Sequence, residues 1–191
     1  FTALDMAVEI DSTKSNKLPD WAQSHILHKK AANEEEKMVL EQDARTQAAL
    51  NLHTLNPNGS ILTLLSGGGS SLVAVDSLVT SGLTDEVINY SEYSGAPTRD
   101  ETATYVSTLM TVLFRSMAKN KVILIAGGVA NFTDVRATFE GIVDAFSADI
   151  DRLKEQNVSV CVRRGGPNQA AGLAHLQTWL EENGIEHAVH D

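Results

Sequence analysis

The chain has 191 residues, with 15 Lys and Arg against 25 Asp and Glu and a formal charge of -10. That length supports one core with some extra chain but not two full domains. The acidity repels nucleic-acid phosphates and anionic membrane surfaces, so neither is an expected partner. The longest mainly apolar runs, 61–65 and 122–126, are of strand length and far short of the roughly 20 residues that a bilayer-spanning helix needs. One cysteine, Cys161, excludes an intrachain disulfide, and no basic and apolar leader precedes the domain, so a reducing cytoplasm is expected. The start at Phe1, already in strand-like sequence, reads as a piece of a longer protein.

Residues 3–10 alternate loosely in polarity as a strand does, and the polar stretch 14–30, which has no clean period, reads as a linker. Asn33 followed by Glu34, Glu35 and Glu36 predicts an N-cap with acidic residues in the first turn, a solvated start to a helix reaching about residue 50. From Asn51 on, short apolar runs alternate with amphipathic stretches, the pattern of a parallel sheet covered by helices. Strands are expected at 50–55, 60–65, 86–90, 121–126, 158–162 and 186–189, and helices at 70–81, 99–118, 133–155 and 169–183. Thr98-Arg99-Asp100-Glu101 is a capping box, followed by one apolar face of Tyr105, Leu109, Val112 and Leu113. Val135, Phe139, Ile142, Val143, Phe146 and Ile150 make a second such face, and Asn183-Gly184 ends the last helix with a left-handed residue. The expected class is α/β, three layers around an open and mostly parallel sheet.

In such sheets ligands bind where strands turn into helices at the carboxyl edge. Here those turns are rich in glycine: Ser66-Gly67-Gly68-Gly69-Ser70-Ser71, Tyr93-Ser94-Gly95-Ala96-Pro97-Thr98, Gly127-Gly128-Val129-Ala130-Asn131-Phe132-Thr133 and Arg163-Arg164-Gly165-Gly166-Pro167-Asn168. Glycine lets backbone approach a ligand closely, and the free N–H groups of a helix start attract negative charge, so the edge reads as an anion site. It is not a nucleotide P-loop, because no Gly is followed by Lys, and the Gly67-x-Gly69 turn lacks the third glycine of a dinucleotide fingerprint. The adjacent Arg163 and Arg164 end a strand, where a guanidinium could fork onto a carboxylate or phosphate. Alternation predicts that one of the two faces the ligand and the other makes a structural contact. The opposite wall would be the 131–133 turn, with helix-start amides, a side-chain amide and a hydroxyl. The histidine pairs His25 with His28 and His187 with His190 lack clustered Cys or carboxylates, no Ser-His-Asp or Gly-x-Ser-x-Gly arrangement is present, and Cys161 reads as a buried core thiol.

Together Leu55-Asn56-Pro57-Asn58-Gly59, Gly67-Gly68-Gly69-Ser70, Glu92-Tyr93-Ser94-Gly95-Ala96-Pro97, Ala130-Asn131-Phe132-Thr133 and Val162-Arg163-Arg164-Gly165-Gly166-Pro167-Asn168 resemble, in order and spacing, the citrate-binding domain of ATP-citrate lyases. That domain is a relative of the carboxyl-terminal domain of the succinyl-CoA synthetase beta subunit. The resemblance implies a flavodoxin-like fold over 33–191, with 1–32 the end of a preceding ATP-grasp domain plus a linker. It further implies an enzyme that uses ATP, magnesium and coenzyme A to convert citrate through citryl-phosphate to citryl-CoA, and on to acetyl-CoA and oxaloacetate. A phosphohistidine on a partner subunit or segment would deliver the phosphoryl group, and the chain alone would be inactive, holding no catalytic residue or cofactor. Carried over by motif, the citrate contacts fall on Gly95, Asn131, Phe132, Thr133 and Arg164, and Asp11 matches an aspartate that binds the magnesium of ATP. Gly128 stands where animal enzymes carry a serine, and Asp149 where they place a tyrosine near the citrate. Two other readings are a succinyl- or malate-CoA ligase beta subunit and a non-catalytic docking module for the phosphohistidine partner.

Overall fold

The computed structural model describes residues 31–130 and 132–190; the strand and linker expected before residue 31 lie outside them. Helix α1 (Glu34–Asp43) begins as the sequence predicts, with the Asn33 side chain accepting from the Glu36 amide. Its glutamates are not a solvated start. Glu35 and Glu36 are buried; Glu35 pairs with Arg115, and the Glu36 carboxylate accepts from the amides of Ala32 at 2.7 Å and Thr54 at 2.8 Å. The helix stops short of residue 50 because the chain turns into an edge strand, β1 (Ala49–Thr54), whose far end Glu36 caps.

The remaining strands are β2 (Ile61–Ser66), β3 (Asn89–Ser94), β4 (Lys121–Gly127), β5 (Val158–Arg163) and β6 (His187–His190). They form one six-stranded sheet in the order β1-β3-β2-β4-β5-β6, parallel throughout except that β1 runs antiparallel to β3. Without β1, the order is that of flavodoxin-like folds, with its reversal between β2 and β4. Helices α2 (Gly68–Thr80), α3 (Arg99–Arg115), α4 (Val135–Ala148), α5 (Ile150–Glu155) and α6 (Gln169–Asn183) complete the unit. Helices α1, α3, α4 and α6 pack side by side on one face, and α2 lies against β2, β3 and β4 on the other. Both apolar stripes foreseen on α3 and α4 are in the core, with Tyr105, Leu109, Phe139, Ile142 and Phe146 fully buried, and Thr98 and Glu101 form the capping box. The long helix expected over 133–155 is broken at Asp149, whose extended φ of -119° starts α5 in a new direction and lets Leu153 reach the core. Gly184 closes α6 in the left-handed conformation, φ 66°.

Strand β3 lies further along the chain than the apolar pattern predicts, and residues 84–86 form a 3-10 turn instead. Its inward face is polar. Asn89 accepts from the Thr63 amide at 2.9 Å and donates to the Thr63 carbonyl at 3.0 Å, while Ser91 donates to that carbonyl and accepts from the Leu65 amide. These side chains bridge the middle of the β2–β3 seam, where the strands share backbone register only at Ser66 with Tyr93. Cys161 also differs from expectation. Strand β5 turns Val158, Val160 and Val162 to the helix layer and Cys161 to the face that α2 covers only at β2 to β4, so the thiol is half-buried.

Helix α4 starts one residue past a cap that the sequence reading overlooked: Asp134 accepts from the amides of Arg136 at 2.9 Å and Ala137 at 3.2 Å and from the Asn168 side chain at 2.8 Å. The Ala137 amide, with the Asn168 side chain and the Arg136 amide, holds this carboxyl below the ordinary carboxylate range. A depressed folded pKa contributes stability above the unfolded value and loses it as pH falls through the folded one. Asp134→Ala is therefore expected to cost about 1 kcal/mol at neutral pH, with the difference from wild type shrinking in acid, as paired urea titrations would read. Asn89→Leu strands the Thr63 amide inside the sheet and should cost about 3 kcal/mol in the same assay; an unchanged midpoint would mean that the seam does not depend on this bridge.

Candidate functional site

The reversal of strand order opens a crevice at the carboxyl ends of β2 and β4, where this fold class binds ligands. A cleft of about 180 Å³ occupies it, walled by Ser66, Gly67 and Ser70 from the β2–α2 turn, Ser94 and Gly95 after β3, Gly128, Val129, Ala130, Phe132 and Thr133 after β4, and Arg164. The turns expected to converge on one edge do so.

Arg164 is the largest fully buried side chain, 2% exposed, and no carboxylate pairs with it among the described residues. From the end of β5 its side chain crosses β4 to reach β2. Nη1 donates to the carbonyls of Gly128 and Gly165, Nη2 donates to Ser66 Oγ at 2.8 Å, and Nε has no partner. Gly127 is the residue crossed: a Cβ there would stand 2.8 Å from the Ser66 carbonyl oxygen and 3.0 Å from Ser66 Cβ, so the close approach of β2 requires glycine, with Arg164 Cδ in ordinary contact at 3.4 Å. A buried cation held by neutral acceptors alone is costly, and a carboxylate or phosphate in the cleft would offset that cost. Beyond Ser66 stands Tyr93, whose buried hydroxyl lies beside Arg164 and Ser66 but meets hydrogen-bond geometry with no group among the described residues. Burial pushes its pKa up, opposed by the charge and hydrogen-bonding groups of Arg164 and by Ser66.

The two helix starts that border the cleft differ in their caps. The start of α4 is occupied by Asp134, whereas α2 begins at Gly67 with no side-chain cap, Gly67 and Ser70 lining the cleft and the Glu92 carboxylate standing beside Gly68. A carboxylate there would meet the positive end of a helix of 13 residues. Two loops are locked to each other around the opening: Ala130 N donates to the Gly165 carbonyl at 3.1 Å and Val135 N to the Pro167 carbonyl at 3.0 Å.

Of the residues singled out in the sequence, Gly95, Phe132, Thr133 and Arg164 share this cleft. Gly95 has φ 75°, a conformation that favours glycine. Thr133 is buried, whereas Phe132 is 82% exposed at the rim. Asn131 and Asp11 lie outside the described residues. Arg163 is exposed, lines a separate depression with α2, and makes no ion pair among the described residues, so no structural contact of the kind expected of it is found there. Asp149 pairs with Arg152 at the end of α4 and does not line the cleft, and Gly128 has room for a larger residue, its Cβ position being 3.5 Å from Ser70 Cβ. Among the described residues no three His, Cys, Asp or Glu side chains converge as a metal site would require. Ser66 and Tyr93 were not foreseen as site residues. Their signals were a hydroxyl at the strand end before the triple glycine and a tyrosine on the inward register of β3.

A family model for the ATP citrate lyase citrate-binding domain matches residues 30–191. The probable ATP-citrate synthase of Caenorhabditis elegans is 38% identical over 189 residues, covering 91% of this chain and 17% of that protein. Human ATP-citrate synthase is 44% identical over 140 residues, 73% of this chain and 13% of that protein. ATP-citrate synthase alpha chain protein 3 of Arabidopsis thaliana is 37% identical over 186 residues, 95% and 44% respectively. The structure of ATP citrate lyase from Methanothrix soehngenii in complex with citrate and coenzyme A superposes with a TM-score of 0.83 at 36% identity, over 95% of this chain and 49% of that one. The chain spans less than half the length of each of these relatives. With its fold, its edge motifs and these likenesses taken together, the chain belongs to the ATP citrate lyase citrate-binding family.

Proposed function

We propose that this chain is the citrate-binding domain of an enzyme that uses ATP and coenzyme A to convert citrate to citryl-CoA and on to acetyl-CoA and oxaloacetate. The observation that carries the reading is the buried Arg164 guanidinium, paired with no carboxylate among the described residues, in a cleft at the strand-order reversal. Citrate brings the missing charge. In this reading one carboxylate lies against Arg164, another takes the uncapped start of α2 and the Gly95 amide, and Asn131, Phe132 and Thr133 close the opposite wall through their amides and side chains. The chain's own contribution is to neutralise the substrate's charge, exclude water and aim one carboxylate outward, which is positioning and electrostatic work. It contributes no general base or nucleophile. The ATP, magnesium and coenzyme A that such enzymes use would be held elsewhere in the parent protein, where Asp11 would serve the magnesium site and residues 1–32 would continue an ATP-grasp domain. The phosphohistidine would come from a partner subunit or segment, and the whole would work in the cytoplasm. The ATP citrate lyase of Methanosaeta concilii, solved with (3S)-citryl-CoA and 35% identical to this chain, supports the assignment of the chemistry.

Citrate should raise the melting temperature of the chain and bind in calorimetry, with succinate and malate weaker because each lacks one carboxylate. Arg164→Met, which removes the charge but keeps much of the bulk, should weaken citrate by at least about tenfold, the equivalent of one charge-assisted hydrogen bond, when titrated well below the variant's own melting temperature. Equal affinity for all three acids, or undiminished binding by the variant, would reject the reading.

A further inference from the structure

Nearly all buried polar groups in folded proteins find partners, and each exception calls for an explanation. Three buried side-chain atoms lack one among the described residues: Ser71 Oγ, Tyr93 OH and Arg164 Nε. Two of these three belong to neighbouring side chains, Arg164, which lines the cleft, and Tyr93 beside it.

Tyr93 is rigidly held. Its carbonyl accepts from Gly67 N at 3.1 Å, its Cα is in register with Ser66, and its ring packs on Tyr105 at 6.3 Å between centroids. The phenol therefore cannot turn to seek a partner, and the hydroxyl is fixed relative to the end of β2. Arg164 is held only by carbonyls and one hydroxyl, acceptors weaker than a carboxylate. A ligand carboxylate that takes the Nη donors must draw the guanidinium off the Gly128 and Gly165 carbonyls, and the group then needs a fixed acceptor behind it.

We propose that Tyr93 is a positioning residue of the Arg164 site, its oxygen accepting a guanidinium N–H when a substrate carboxylate draws Arg164 away from the loop carbonyls. The inference rests on the reading of the cleft as a carboxylate site. Tyr93 never touches the ligand; it decides where the arginine points once the ligand has arrived. The vacant hydroxyl is a cost carried by the ligand-free protein and recovered on binding. Burial also pushes the phenol's pKa up, so it stays protonated at neutral pH, with a lone pair free to accept.

The test compares the full chain with Tyr93→Phe and Tyr105→Phe, each by ligand-free thermal unfolding and by calorimetric titration with citrate. Tyr105 is an equally buried control whose hydroxyl is already bonded to the carbonyls of Asn51 at 2.7 Å and Glu92 at 3.1 Å. Tyr93→Phe should keep or raise the melting temperature, since it deletes an unpaired hydroxyl, and yet weaken citrate by about tenfold, the size of one hydrogen bond to a charged group. Tyr105→Phe should do the reverse, melting lower with affinity unchanged. Wild-type affinity in Tyr93→Phe overturns the proposal, as does a loss of affinity that comes with a lower melting temperature, because that is the mark of a merely structural role. Failure of the wild-type chain itself to bind citrate instead overturns the carboxylate reading, and this inference falls with it.

Discussion

A single buried arginine organises the upper edge of this sheet. Arg164 leaves the end of β5, passes over Gly127 in β4 and donates to Ser66 at the end of β2, so one guanidinium spans three parallel strands at the point where their order reverses. Its other donors close the Gly128 and Gly165 carbonyls around it. The loops that form the cleft take their shape from this arrangement, and among the described residues the buried charge meets no counter-charge. Such a residue is a poor stabiliser and a strong recruiter of anions.

The rest of the fold keeps that edge in place. The β2–β3 seam, which positions Ser66 beside Tyr93, is bridged by Asn89 and Ser91 through the main chain of Thr63 and Leu65. Glu36 ties α1 to the end of the antiparallel edge strand. Asp134 fixes the start of α4 and, through Asn168, the loop that follows Arg164. In each case a buried or half-buried polar side chain satisfies a backbone group that the regular ladders leave over. Apolar packing of α3, α4 and α6 supplies the bulk of the core, and these bridges decide which way the loops above it face.

Elements defined by apolar period were legible in the chain. The strands β2, β4 and β5, the helix α6 to its ends, and the capping box of α3 stand where the sequence predicts them, within a residue or two. Elements defined by polar contacts were not. β3 slid because its inward residues are Asn89, Ser91 and Tyr93, while the nearest apolar pair, Val87 and Ile88, precedes it. The glutamates of α1 looked solvated, since a run of like charge has no way of announcing a strand end and an arginine folded against it. Of the cleft, the glycine turns and the presence of one arginine of the pair were legible. The choice of α2 rather than α4 as the open helix start was not, because Asp134 reads equally well as a surface residue.

By itself the sequence determined the class of fold and the edge where the glycine turns and an arginine meet in a cleft, since hydrophobic period, glycine placement and arginine content are local properties of the chain. Only the tertiary structure decided which donors remain free. Whether a helix start is capped, whether a guanidinium meets a carboxylate and whether a tyrosine hydroxyl finds a partner all depend on residues far apart along the chain, Ser66 and Arg164 among them. Hydrogen-bond satisfaction is a property of neighbours in space, and no spacing along the chain encodes it.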